Sequence, residues 1–167
     1  MAPSPQESEC TQPMKTWTGC WFEDFSVGDE LVTTGRTITD GELAQFVGIS
    51  GNAHPLHVDE NYAQSLGFAG RLVHGMLTLS VGMGLMERSG VTKETILAHL
   101  GLERVRFITP VFVGDTIRVE MKVVELKPFS NGSRGAVVMQ ADILNQHDVV
   151  VVESVQSFMV GSAKKHH

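Results

Sequence analysis

Positive charge is scarce in this sequence, and what there is does not cluster: 13 lysines and arginines stand against 19 aspartates and glutamates, for a formal net charge of -6. Nucleic acid and anionic membrane surfaces demand a concentrated basic patch, so neither is an expected partner. Long apolar runs are missing as well. The longest, "MLTLSVGMGLM", is broken by two glycines and falls short of the about 20 residues that a membrane-spanning helix needs. Cysteine is limited to Cys10 and Cys20, which have neither the spacing of a metal knuckle nor the density of a disulfide scaffold; no metal site is expected, and a reducing cytoplasm is. The opening "MAPSPQESECTQPMK" lacks the apolar centre of a secretory signal and carries three prolines, so residues 1–16 read as a disordered leader. The closing segment 162–167, with its "AKKHH", reads as a solvated tail. Residues 17–161 remain, a length suited to one domain, and 42% hydrophobic content across the chain is enough to build its core.

The periodicity of that domain changes along the chain. In "FSVGDELVTTGRTI", Gly28 and Asp29 form a turn before strand-like alternation, and in "TDGELAQFVGIS" Thr39 and Glu42 have the spacing of a capping box at a helix start. Asp59 is placed to cap a short helix in "ENYAQSLGF", and His74 to Arg88 offers a longer, small-residue helix expected to be buried. From Glu103 onward the pattern is that of four antiparallel strands separated by "PVFVGD", "FSNGS" and "NQHD". Ile117, Val119, Met121 and Val123 alternate with Thr116, Arg118, Glu120 and Lys122, so one sheet face requires apolar cover. The His74 helix can supply it, which gives an α+β domain: a curved antiparallel sheet wrapped around a central helix.

Two stretches carry a more specific likeness. "ITDGELAQFVGISGNAHPLHVDENYAQSLGFAGRLVHGM" resembles the hydratase motif of the MaoC-like, R-specific enoyl-CoA hydratases, and "ERVRFITPVFVGDTIRVEMKV" resembles a later segment of that family, in which an aromatic residue, a proline and a Gly-Asp turn lead into a long strand. The likeness spans about Trp21 to Val160 and implies the hot-dog fold and a homodimer joined edge to edge. It implies reversible hydration of a trans-2-enoyl thioester to the (R)-3-hydroxyacyl thioester. Coenzyme A would enter as part of this small-molecule substrate, with no separate cofactor. His57 matches the family's catalytic histidine. Five residues earlier, where the family usually has aspartate, stands Asn52, and His54 stands where it usually has asparagine.

That departure falls on the chemistry, because a carboxylate accepts a proton from water whereas a neutral amide only orients it. Imidazole titrates near neutrality, and His57 alone can take a proton and return it. At the start of the long helix the first N–H groups lack partners, so the resemblance gives Gly75 the role of holding the thioester oxygen; tight packing is the structural alternative. His54 and His74 are candidate substrate-binding residues, as are Met76, Met83 and Met86, three methionines of one helix that can narrow an acyl tunnel. Asp59 and Asp40 read as helix-start acids rather than replacement bases. Arg71, Arg104 and Arg106 are scattered cations that coenzyme A phosphates could meet. Two alternatives to a hydratase remain: a non-catalytic thioester-binding protein, favoured by Asn52, and a thioesterase, disfavoured because His74 to Met86 contains no acid.

Overall fold

The computed structural model describes residues 18–130 and 132–165. After a single 3-10 turn at Phe22–Asp24 come two short strands, β1 (Glu30–Val32) and β2 (Arg36–Thr37). Four helices follow, α1 (Asp40–Ser50), α2 (Pro55–Val58), α3 (Glu60–Ser65) and α4 (Gly75–Arg88), and then four long strands, β3 (Ile96–Phe107), β4 (Thr116–Pro128), β5 (Arg134–Leu144) and β6 (Val150–Gly161). The sheet order is β1-β4-β5-β6-β3, with β2 also pairing β4. All pairings are antiparallel.

The alternation read in β4 is the one that builds the core: Ile117, Val119, Met121 and Val123 are all buried, while Arg118 and Lys122 face outward. Against them lies α4, which buries Leu77, Leu79, Val81, Leu85 and Met86. Each such side chain contributes about 1.5–3 kcal/mol when removed from water. Gly82 sets how closely helix and sheet approach, because a Cβ there would lie 2.5 Å from Ile143 Cδ1. Among the described residues no helix is long and apolar enough to cross a membrane.

Three local readings need revision. "PLHV" shows no periodicity in the sequence but forms the one-turn helix α2, started by Pro55 at its first position, where a missing N–H costs nothing. Strand β3 begins at Ile96, seven residues before Glu103; its pairing with β6 shifts register three times, and those bulges break the alternation by which a strand is recognised. The terminal segment starts packed rather than solvated: Ser162 is buried and hydrogen-bonded through its hydroxyl to the Glu23 carboxylate, which also accepts from the Ala163 N–H at 3.2 Å. The leader 1–16 lies outside the described residues, as do His166 and His167.

Candidate active site

Four chain segments converge at one end of α4. Thr39 caps α1 with the expected reciprocal box to Glu42, and the helix ends at Gly51, whose φ of 70° turns the chain sharply. Asn52 follows directly, its N–H donating to Ser50 Oγ at 3.2 Å. His54 then caps α2, its Nδ1 accepting from the Leu56 N–H at 3.2 Å. One turn later His57 points back at the chain entering α4: its Nδ1 lies 2.7 Å from the Leu72 carbonyl oxygen, and the Leu72 N–H donates to the Leu56 carbonyl at 2.9 Å.

A carbonyl only accepts, so this bond places the His57 proton on Nδ1 and the lone pair on Nε2. Nε2 has no hydrogen-bond partner among the described residues, and His57 lines a cavity of about 560 Å³. Burial pushes the His57 pKa below the ordinary imidazole value; the Leu72 carbonyl works against this, and His74 and His54 add to it. The ring is therefore neutral at pH 7, in the form that accepts a proton.

The same cavity is lined by Asn52, His74, Gly75 and Met76 on one side and by Phe107, Thr109 and Val152 on the other. His74 is buried, stacks on His57 with ring centroids 3.6 Å apart, and reaches the Asn52 carbonyl through Nε2 at 2.9 Å. Asn52 is thus held by its backbone on both sides. Asp59 caps α3 as expected, so each of the three shorter helices has a side-chain cap, whereas His74 gives α4 none. The open N–H groups at Gly75 and the helix dipole leave partial positive charge facing the cavity.

No carboxylate lines this cavity. Asp40 and Glu60 are both engaged by the Arg71 guanidinium, at 2.7 and 3.4 Å, and this arrangement also occupies an arginine considered for phosphate binding. Arg104 and Arg106 are exposed on β3. His54 is exposed and outside the cavity lining, its imidazole spent on the α2 cap. The three methionines part company: Met76 borders the His57 cavity, but Met83 and Met86 line a separate apolar space of about 190 Å³ with His99, Met139 and Phe158. Among the described residues no group of three His, Cys, Asp or Glu side chains is arranged to hold a metal ion.

With this geometry in place, comparison with known proteins is direct: the model of the MaoC like domain matches residues 24–143. The chain belongs to the MaoC-like domain family. Over 147 residues, 87% of its length, it is 33% identical to the β-methylmalyl-CoA dehydratase of Chloroflexus aurantiacus, of which it spans 41%. It is 31% identical over 108 residues to an (R)-specific enoyl-CoA hydratase of Rhodospirillum rubrum, covering 65% of this chain and 72% of that one. A Mycobacterium tuberculosis protein with a double hot-dog fold superposes with a TM-score of 0.77 at 24% identity, over 89% of this chain and 46% of its own. The MaoC-like fold here is the hot-dog fold, α4 being the helix enclosed by the sheet, and hydratases and dehydratases are among its relatives.

Two contributors to this MaoC-like site were not named from the sequence. Leu72 acts through its main-chain oxygen, which no side-chain pattern records. Phe107 lies in the aromatic-proline segment quoted above and closes over Gly75, where a Cβ would come within 2.5 Å of its ring. Gly75→Ala is therefore expected to displace Phe107 into the cavity and raise KM for an acyl thioester, with a small change in Tm. Adding Phe107→Leu should restore much of the loss if the conflict is steric; steady-state kinetics and thermal melts of both variants check this.

Proposed function

We propose that the protein catalyses reversible hydration of trans-2-enoyl thioesters to (R)-3-hydroxyacyl thioesters, with His57 as a single acid-base group. The observation that carries this reading is the tautomer: Nδ1–H is committed to the Leu72 carbonyl, which leaves Nε2 as a proton acceptor in the cavity bordered by the open start of α4. Water held beside the Asn52 amide gives its proton to Nε2 as its oxygen bonds to C3. The electron pair of the C2–C3 double bond moves toward the thioester, whose oxygen gains charge opposite the Gly75 N–H. Nε2–H then returns the proton to C2 on the same face. The product has gained H at C2 and OH at C3, the imidazole is again neutral, and no electrons leave the system.

The substrate of this reading is an acyl-CoA. Relatives named for enoyl-CoA and β-methylmalyl-CoA support it, and the net charge of -6 disfavours an acidic carrier protein. The direct test is crotonyl-CoA followed by loss of alkene absorbance, with free thiol monitored in parallel to detect hydrolysis. A second reading, a thioester-binding protein without turnover, draws on Asn52; binding with neither signal would support it.

The reading includes a homodimer. Among the described residues strand β3 is a sheet edge, pairing only β6, and it presents exposed Leu97 and Leu100; an uncovered apolar edge of this kind invites pairing with another copy. Light scattering at micromolar concentration should return twice the chain mass of 18.2 kDa, and a monomer would remove the dimer from the reading.

A further inference from the structure

We propose that His74 is a positioning residue, which makes no contact with the reacting atoms and instead fixes Asn52 and His57 relative to each other through one hydrogen bond and one ring stack. The proposal rests on the hydration reading above for its kinetic consequences, but its geometry stands without it. Asn52 ends one helix turn-out, His57 sits on α2 and His74 precedes α4, so three separately formed segments must agree in position. His74 is where they meet.

His74 carries a polar atom that the fold leaves unpaired. It is 3% exposed, and its Nδ1 is buried without a hydrogen-bond partner. A buried acceptor left unmade is unfavourable, and a phenylalanine would fill the same space with no such penalty. Imidazole at this position is explained by what the other nitrogen does. Its bond to the Asn52 carbonyl, 2.9 Å long, requires the proton on Nε2. That bond and the Ser50 Oγ contact hold the Asn52 peptide from two sides, leaving its side-chain amide directed by the backbone alone.

The second action is through the ring face. The His57 and His74 planes lie 24° apart at a centroid separation of 3.6 Å, so His57 cannot swing away from Leu72 without losing the stack. The other neighbour is Phe46 of α1, 5.0 Å from the His74 ring, which backs the pair with an uncharged surface. The ionisable groups facing His57 are few: His74 from the start of α4 and His54 from its own element, 6.3 Å away. The cavity walls from α1, the 107–111 segment and β6 contribute no titratable side chain. Replacing the His74 imidazole therefore alters both the burial of His57, the main cause of its lowered pKa, and its nearest ionisable neighbour.

Nitrogen-15 NMR of the histidines in the intact protein tests this without any assay. His74 should carry its proton on Nε2 and His57 on Nδ1; a His74 proton on Nδ1 leaves the Asn52 carbonyl without its donor and overturns the proposal. Two variants divide the functions, since His74→Phe keeps a ring and loses the donor while His74→Gln keeps an N–H donor and loses the ring. In both, the His57 titration should shift from that of wild type, and an unmoved titration in both also overturns the proposal. Should the phenylalanine variant not fold, the glutamine variant and the wild-type tautomers give the same decision. On crotonyl-CoA, His74→Phe should lower kcat on the order of 10- to 10²-fold with little change in KM, the effect of slight misplacement, and Asn52→Ala added to it should cost little more. Additive losses would mean that His74 does not act through Asn52. If no enoyl thioester is hydrated by wild type, the hydration reading falls, and the tautomers and titrations still judge His74.

Discussion

His57→Ala is expected to lower hydration of crotonyl-CoA by on the order of 10²- to 10⁴-fold, the range for loss of one general acid-base group. Steady-state kcat/KM compared with a thermal melt checks it, because the fold should survive. The variant forfeits the bond to Leu72 and the stack on His74, each worth about 0.5–1.5 kcal/mol, against a total stability of about 5–15 kcal/mol for a domain. The pH dependence of wild type follows from the same residue. In the proposed mechanism the active form is the neutral ring, and burial lowers its pKa below the ordinary value. Activity should accordingly be flat through neutral pH, falling about tenfold per unit only on the acid side of the depressed pKa. A profile still rising between pH 7 and 8 would assign the base to another group.

How far the site was legible beforehand depends on which atoms act. Thr39, Glu42 and Asp59 announced helix starts because capping is a side-chain event with fixed spacing, and the structure has them in those roles. The β4 alternation was equally readable, since a two-residue period leaves a direct trace. Helix α2 was not, because one turn is too short for a period. Nor was the division of the methionines: helical spacing reports a shared face, but Met76 and Met86 are ten positions apart, about 15 Å along the axis, enough to put them in different cavities. His74 illustrates a further limit. Its place before Gly75 suggested a residue of the cavity, which it lines, but its bond to the Asn52 main chain depends on a segment 22 residues away.

Asn52→Asp brings a carboxylate into a cavity whose lining has none. The backbone there is held by Ser50 and His74 independently of the side chain, so the exchange is close to isosteric and the fold should be retained. A carboxylate five residues before His57 supplies a second proton acceptor for the attacking water. Hydration of neutral crotonyl-CoA is expected to rise, by up to the order of 10²- to 10⁴-fold attributed to one such group. The added charge also favours the protonated ring, so the acid-side inflection of the profile should move upward. An enoyl-CoA with a carboxylate beside its double bond should respond oppositely, because the new charge repels it while the native amide can donate to it. Steady-state assays of wild type and variant on both substrates separate the cases. A gain on the neutral substrate with a loss on the acidic one identifies the amide as a selector for a charged acyl group. A gain on both makes it a plain loss of rate relative to the family pair. Binding without turnover in wild type and variant alike, on every enoyl thioester, would leave the binding-protein reading, since neither a lone histidine nor the restored pair would then be carrying water to C3.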